Sequence, residues 1–294
     1  MLRRIKNQAI GDTLFDCIVA LLLFVAVVVC AYPFLYVVSV SISSGDAVNK
    51  GLVTLLPVDL NFEALHTVLQ YKQLWTSYGN TLFYTVVGTV LNLIFTCLAA
   101  YPLSRKQFCL RKPLNFLLAF TMYFSGGLIP IYIVVTSLGL YNSRWSMILP
   151  VLISAYNVMI CRSAFESISD ELFEEAELAG ANDFLIMHRI AIPLIKPTLA
   201  VLALYYAVAR YNDFFNAMLY ISDKKLEPLQ LFLRRILLEA SSEIMQTTSV
   251  SMAAASKSSL QVRYVCIVVS VVPIMLVVPF VQKYLVEGTM LGAV

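Results

Sequence analysis

The sequence predicts an all-α, polytopic membrane protein, and composition and segment length both support this fold class. Of its 294 residues, 60% are hydrophobic and only 13% are charged. A water-soluble domain carries about a quarter charged residues. Several apolar stretches reach the ~20 residues that a helix needs to cross a bilayer. We therefore expect residues 1–294 to form a single transmembrane domain.

The apolar stretches define six predicted spans. They lie at residues 14–40, 81–102, 114–138, 146–164, 194–220 and 265–281. The third span is interrupted by a Ser-Gly-Gly-Leu-Ile-Pro run, and Pro193 and Pro197 open or kink the fifth. Glycine and proline are tolerated in membrane helices where neighbours satisfy the freed backbone groups.

Loop charge predicts the orientation. The short loop after the second span carries Arg105, Lys106, Arg111 and Lys112, and such basic clusters mark the cytoplasmic side. With six spans, both termini are then cytoplasmic. The polar stretch at residues 222–262 is also basic, but long loops follow this rule poorly.

Several classes of site are disfavoured by the residues present. The six cysteines are scattered, and His66 and His188 stand alone, so no metal site is predicted. The sequence lacks the G-x-x-x-x-G-K-[ST] phosphate loop, so we expect no cofactor and no ATP bound by this chain. It also lacks a basic patch with interleaved aromatics, which disfavours a nucleic-acid partner.

One acidic segment stands out between the fourth and fifth predicted spans. Residues 170–180 should form a short amphipathic helix, with Ser169 as its N-cap and acidic side chains in its first turn. Gly180 can end the helix in a left-handed conformation. Leu172, Ala176 and Ala179 would share its apolar face. By composition alone, this could be an ordinary solvated helix in a loop.

The spacing within this segment resembles the EAA loop of ABC importer permeases. The family pattern EAA-x3-G-x9-I-x-L-P aligns here with Glu174, Gly180, Ile190 and Pro193, although Glu175 replaces the usual first alanine and Ile192 the usual leucine. In that family the loop is a coupling helix that docks into a cytoplasmic ATPase. The resemblance therefore implies ATPase-coupling residues, namely Phe173, Glu174, Glu175, Ala176, Gly180, Ile190 and Pro193.

Further motifs resemble the LplC/YtcP branch of MalG-like carbohydrate ABC permeases. They include Phe124–Tyr132, Ser137–Leu140, Ile148–Pro150, Tyr211–Phe215 and the C-terminal Pro279–Val294. The resemblance implies a MetI/MalG-like permease core in a bacterial cytoplasmic membrane. It also implies a second permease subunit as heterodimer partner, two ATPase subunits that bind ATP and Mg²⁺, an extracytoplasmic solute-binding protein and an oligosaccharide substrate. The tail after Glu287 would reach between the ATPases, or would be a frayed end.

A polar and aromatic set suggests a substrate pathway in the membrane. Arg210 and Asp213 are three residues apart on the fifth predicted span and could pair on one helix face. Charged groups at this depth face a cavity or each other, although an anchor at the outer interface is an equal alternative. Asn157 is favoured as an interhelical hydrogen-bonding residue. The candidate pathway residues are Tyr123, Asn157, Tyr206, Arg210, Asn212 and Asp213.

Two other functions are alternatives to an importer permease, an ion-coupled secondary transporter and a membrane enzyme. An ion-coupled secondary transporter would need ionisable groups at the membrane midplane, where only Asp213 is a plausible carboxylate. A membrane enzyme would need a nucleophile–base pair or a metal constellation, and none is recognisable. The resemblance and the position of the acidic helix favour the permease.

Overall fold

The computed structural model describes residues 2–246, 261–272 and 275. Within these residues the chain is predominantly helical and contains no strand. The helices are α1 Leu2–Ser41, α2 Gly45–Asn49, α3 Glu63–Gln70, α4 Lys72–Ser104, α5 Arg111–Tyr123, α6 Leu128–Ser137, α7 Ala155–Glu166, α8 Asp170–Leu178, α9 Asp183–Ile186, α10 Ile192–Leu194, α11 Lys196–Tyr211, α12 Phe215–Tyr220, α13 Leu229–Gln246 and α14 Gln261–Val272. Two 3₁₀ helices, Arg144–Met147 and Leu149–Val151, precede α7, and a π-helix, Met187–Ala191, precedes α10.

The chain divides into two compact units. The first comprises residues 1–71 and 235–272. Within it, Val40, in the last turn of α1, forms a small buried cluster with Ala47 and Val53. The amide of Gln261, at the start of α14, donates to the carbonyl oxygen of Ser43 at 2.6 Å. This hydrogen bond fixes α14 to the segment that follows α1.

The second unit comprises residues 72–234 and 273–294, and its described part is built on α4, α7 and α11. Its core includes Tyr101 from α4, Phe165 from α7 and Leu202 from α11, all buried. The Tyr101 and Phe165 rings pack edge to face with centroids 5.6 Å apart. The loops and short helices around this three-helix scaffold carry the candidate site.

Two described helices are long and apolar enough to cross a membrane unaided, Phe15–Ser41 and Lys72–Ser104. Three further pairs meet the same criteria only together and are bent at a break. The bends are 114° between α5 and α6, 54° between the 3₁₀ segment Arg144–Val151 and α7, and 84° between Asp183–Leu194 and α11. Length and composition thus allow up to five spans in the part of the chain that the structure describes.

The breaks have local causes. Gly127 has a φ of 84°, which lets the chain turn sharply between α5 and α6. Pro193 lacks the N–H that a regular helix requires, and it lies two residues after the end of the π-helix and just before the 84° bend. The helices therefore break at both places where the sequence predicted it, at the Ser-Gly-Gly-Leu-Ile-Pro run and beside Pro193.

Other boundaries differ from the prediction. The fifth span was expected to be continuous to residue 220, but α11 ends at Tyr211 and α12 begins only at Phe215. The second span lies within the longer helix α4, which already begins at Lys72. The sixth predicted span starts within α14, and its part beyond residue 272, apart from residue 275, lies outside the described residues, as does the C-terminal tail.

Candidate functional site

Helix α8 is ended by the glycine that the sequence indicated. Gly180 has a φ of 81°, its N–H donates to the carbonyl of Glu177 at 2.9 Å, and the N–H of Ala181 donates to that of Ala176 at 3.0 Å. This pair of bonds is a Schellman motif, which satisfies carbonyls at the end of the helix. At the other end, Ser169 is the N-cap residue, but its side chain makes no capping hydrogen bond.

The two faces of α8 differ from the prediction. Phe173, which the resemblance counts among the ATPase-coupling residues, is only 2% exposed and therefore offers a partner almost no surface. Its ring lies 6.4 Å from that of Tyr101, in the core of the second unit. The apolar side chains that α8 exposes are Leu178, at 90%, and Leu172, at 42%. Phe173 therefore anchors α8 to its own chain, and the leucines face outward.

The remaining motif residues also divide into exposed residues and residues that pack on the core. Glu174 and Glu175 are exposed, whereas Ala176 is half-buried against the core. Ile190 lies in the π-helix and also packs on this core. Pro193 is exposed at the bend into α11. One short segment therefore carries an exposed acidic surface, a buried apolar anchor and a bend.

Basic residues that follow α4 contact both ends of α8. Arg105 pairs with Glu177 at 3.0 Å, and Lys106 pairs with Asp170 at 2.6 Å. The hydrogen bond and positive charge of Lys106 lower the pKa of Asp170. The Arg105 guanidinium also lies over the Phe173 ring, 3.8 Å from its centroid. In the sequence the charges of these residues indicated only orientation, and their role in holding α8 is visible only in the structure.

The end of α7 is held by a second group of charges. Glu166 pairs with Arg111 at 2.6 Å and with Arg162 at 3.0 Å. Partial burial opposes ionisation of Glu166, but the two arginine hydrogen bonds outweigh it and lower the pKa of this carboxyl group. Arg111 also donates to the carbonyl of Leu103 at 3.1 Å, so it joins the end of α4 to the end of α7.

Arg210 occupies a buried site beside the unwound segment before α7. Its guanidinium donates to the carbonyls of Met147, Ile148 and Val151, the last at 2.9 Å, and to the Asn92 side-chain oxygen at 2.8 Å. A carbonyl-lined site of this kind stabilises a cation because the carbonyl dipoles point their negative ends at it. The predicted pairing with Asp213 was wrong, since α11 ends before that residue.

Tyr206 holds the same break one turn away. Its hydroxyl group is 2.8 Å from that of Thr96 and accepts a hydrogen bond from the backbone N–H of Ser154 at 3.4 Å. Gly88, Asn92 and Thr96 recur every four residues on α4. This small and polar stripe on an apolar helix is a sequence signal that could have revealed the contact surface.

The six candidate pathway residues differ in their exposure and in their contacts. Tyr206 and Arg210 are 4% and 7% exposed, and Asn157 is also buried. Asp213 accepts hydrogen bonds from the backbone and side-chain nitrogens of Asn216 at 3.1 and 2.9 Å, in the first turn of α12. The remaining two, Tyr123 and Asn212, are exposed. Side-chain hydrogen bonds within the chain, which the sequence did not indicate, are made by four of the six, namely Tyr206, Arg210, Asn212 and Asp213.

Comparison with known proteins identifies the protein family to which this chain belongs. Residues 6–290 match the family of binding-protein-dependent transport system inner membrane components, and this chain belongs to that family. It is 36% identical over 284 residues to YtcP, the polygalacturonan/rhamnogalacturonan transport system permease protein of Bacillus subtilis (strain 168), covering 96% of this chain and 99% of YtcP. It is 37% identical over 262 residues to protein LplC of the same organism, covering 89% of this chain and 88% of LplC. The predicted family resemblance is confirmed.

Solved structures support this family membership. A bacterial ABC transporter involved in the import of the acidic polysaccharide alginate contains a chain that matches with a TM-score of 0.85 at 39% identity, covering 93% of this chain and 97% of that one. A second match, from an alginate transporter in complex with its alginate pentasaccharide-bound periplasmic protein, has a TM-score of 0.57 at 15% identity and supports the fold alone. The fold is that of an ABC importer permease.

Proposed function

We propose that this chain is a transmembrane permease subunit of an ATP-driven, binding-protein-dependent importer for an oligosaccharide or polysaccharide. It has six spans with both termini in the cytoplasm and forms the translocation pathway with a second permease. The names of YtcP and of the alginate importer support a carbohydrate substrate. Two cytoplasmic ATPases bind and hydrolyse ATP with Mg²⁺, and an extracytoplasmic binding protein delivers the sugar.

The observation that carries this proposal is the construction of α8. It is a nine-residue helix with a buried aromatic anchor, an exposed acidic and leucine surface, and a sharp glycine stop. A transporter driven by a separate ATPase needs such a rigid element at the membrane surface. Leu178 and Leu172 provide the apolar area for the ATPase groove, and Glu174 provides a charge for a basic partner. The charge acts more strongly there than on an open surface, because the contact is partly desolvated.

The buried polar residues have an indirect role in this proposal. Tyr206 and Arg210 hold the unwound segment before α7 in place, and they act on the pathway through its shape. Tyr123 and Asn212 are the candidates that remain available for direct contact with a sugar, because their side chains are exposed.

The test uses the assembled importer. Leu178→Asp and Glu174→Lys should leave the permease in the membrane but reduce the amount of ATPase that copurifies with it. Glu63→Lys is the matched control, because Glu63 is an exposed acidic residue at the start of the short helix α3, which lies outside the membrane in the proposed topology. Normal ATPase retention and transport in the double variant Leu178→Asp/Glu174→Lys would show that α8 is only a solvated connection.

The alternative of an ion-coupled transporter is tested with the chain alone. In proteoliposomes, the purified chain should show neither ATP hydrolysis nor uptake of oligosaccharide under a sodium or proton gradient. Together with its partners, it should support ATP hydrolysis that is stimulated by loaded binding protein. Gradient-driven uptake by the isolated chain would favour the secondary transporter.

A further inference from the structure

We infer that the α4–α5 loop, residues 105–110, is a second mechanical attachment of α8, through which nucleotide-driven movement of α8 reaches α5. This inference rests on the proposed function, in which α8 contacts an ATPase. Covalent connections alone would carry movement from α8 only to its neighbours in sequence, α7 and the segment leading to α11. The contacts of Arg105 and Lys106 add a route to a helix that precedes α8 by about 50 residues.

The loop contacts α8 at two separate points. Lys106 binds Asp170, the first residue of the helix, and Arg105 binds Glu177, in its last turn. At a rise of 1.5 Å per residue, these positions lie ~10 Å apart along the helix axis. A helix attached at both ends keeps its orientation, whereas one attached at a single point can pivot. The two-point contact therefore makes α8 and the loop move together.

Arg105 dominates this attachment. Its side chain is 12% exposed, whereas those of Lys106 and Asp170 are 74% and 55% exposed. Exposed ion pairs contribute little and are screened by salt. Arg105 combines its pairing to Glu177 with a position over the Phe173 ring, and a planar guanidinium can make both contacts at once. Lysine at this position would keep the charge but lose the fork that makes this double contact possible.

Contacts at the start of α5 complete the route. Arg111, the first residue of α5, donates to the carbonyl of Leu103 near the end of α4 and pairs with Glu166 at the end of α7. The loop is thus short and fixed at both of its own ends. Movement of α8 through Arg105 must then either displace the start of α5 or break one of these contacts.

The experiment measures hydrogen–deuterium exchange in the assembled importer, with and without ATP and orthovanadate, which requires no knowledge of the sugar. In the wild type, nucleotide should change exchange both in α8 and in residues 105–116. In Arg105→Glu, the response of α8 should persist while that of residues 105–116 falls by about three- to tenfold. The charge swap Arg105→Glu/Glu177→Arg should restore part of it, because the swap re-forms the ion pair but not the contact of the guanidinium with the Phe173 ring. A purely structural role would alter baseline exchange but would not separate the two responses.

Lys112→Glu is the matched control. It reverses a charge at the start of α5 on an exposed residue that makes no ion pair within the described part of the chain. Its nucleotide response should equal that of the wild type. If Arg105→Glu lowers the yield of the importer, Arg105→Lys is measured instead and should lose part of the response.

The outcomes separate this inference from the proposed function. If both segments respond equally in the wild type and in Arg105→Glu, or if the charge swap restores nothing, the attachment through Arg105 is refuted while the docking role of α8 stands. If α8 itself shows no nucleotide response in the wild-type importer, the proposed function fails, and this inference fails with it.

Discussion

Replacing Arg210 by methionine should destabilise the second unit, because this guanidinium holds the unwound segment before α7. The substitution removes four hydrogen bonds, to the carbonyls of Met147, Ile148 and Val151 and to the Asn92 oxygen. Val151 keeps a donor, since the Asn92 amide also reaches its carbonyl at 3.0 Å. Methionine keeps much of the aliphatic volume, so the lost polar contacts account for most of the effect.

The loss of hydrogen bonds and the recovered cost of burying a charge change the free energy of unfolding in opposite directions. Hydrogen bonds to a charged group contribute about 1.5–3 kcal/mol each, but side-chain bonds in a membrane protein average only ~0.6 kcal/mol. Removing a buried charge also recovers part of its desolvation cost. We expect a net loss of about 2–5 kcal/mol, which corresponds to a fall of roughly 5–15 °C in the thermal midpoint in detergent. Arg210→Lys should fall between methionine and the wild type.

Gly88 provides an internal check. A Cβ added at Gly88 would lie 3.1 Å from the Arg210 side-chain nitrogen Nε, so Gly88→Ala should destabilise the wild type by about 1 kcal/mol. In the Arg210→Met background the same change should cost less, because methionine can move aside. The double-mutant cycle measures this coupling. A midpoint within about 2 °C of the wild type for Arg210→Met, or equal effects of Gly88→Ala in both backgrounds, would refute the role assigned to Arg210.

Three further predictions concern α8, the end of α7 and the C-terminus. The lowered pKa of Glu166 means that its arginine pairing stabilises the fold above the unfolded-state pKa of about 4.3, and that this contribution is lost as the pH falls through the lower folded-state pKa. Thermal midpoints measured between roughly pH 3 and pH 7 should therefore fall less steeply on acidification in Glu166→Gln, and equal slopes would contradict this. Phe173→Ala should destabilise the unit by about 3–5 kcal/mol, against less than ~0.5 kcal/mol for the exposed Leu178→Ala, so similar thermal midpoints for the two variants would contradict the anchor role. Deleting the residues after Glu287 should weaken ATPase association in copurification, and unchanged assembly and transport would show that the tail is a frayed end.

Local sequence signals predicted the class of fold and the position of α8. Apolar length and low charge indicated membrane helices, because these properties are set by the solvent around each segment. The acidic first turn and the glycine stop of α8 act within the helix itself, so they could be recognised without any partner. The break after Tyr123 was also recognisable, because Gly127 needs no neighbour to adopt a positive φ.

Only the tertiary structure decided which side chains pack inward at each site and which partners they bind. Periodicity grouped Leu172 with Ala176 and Ala179 on one apolar face of α8. Phe173 is nevertheless the residue that packs inward, because Tyr101 of α4 and Arg105, just after α4, form its contact surface. Arg210 bonds to Asn92, 118 residues earlier in the chain, instead of pairing with its close sequence neighbour Asp213. Spacing along one helix shows which residues share a face. Spacing does not show which other part of the chain packs on that face. This packing decides the hydrogen-bond and ring-contact partners of each residue.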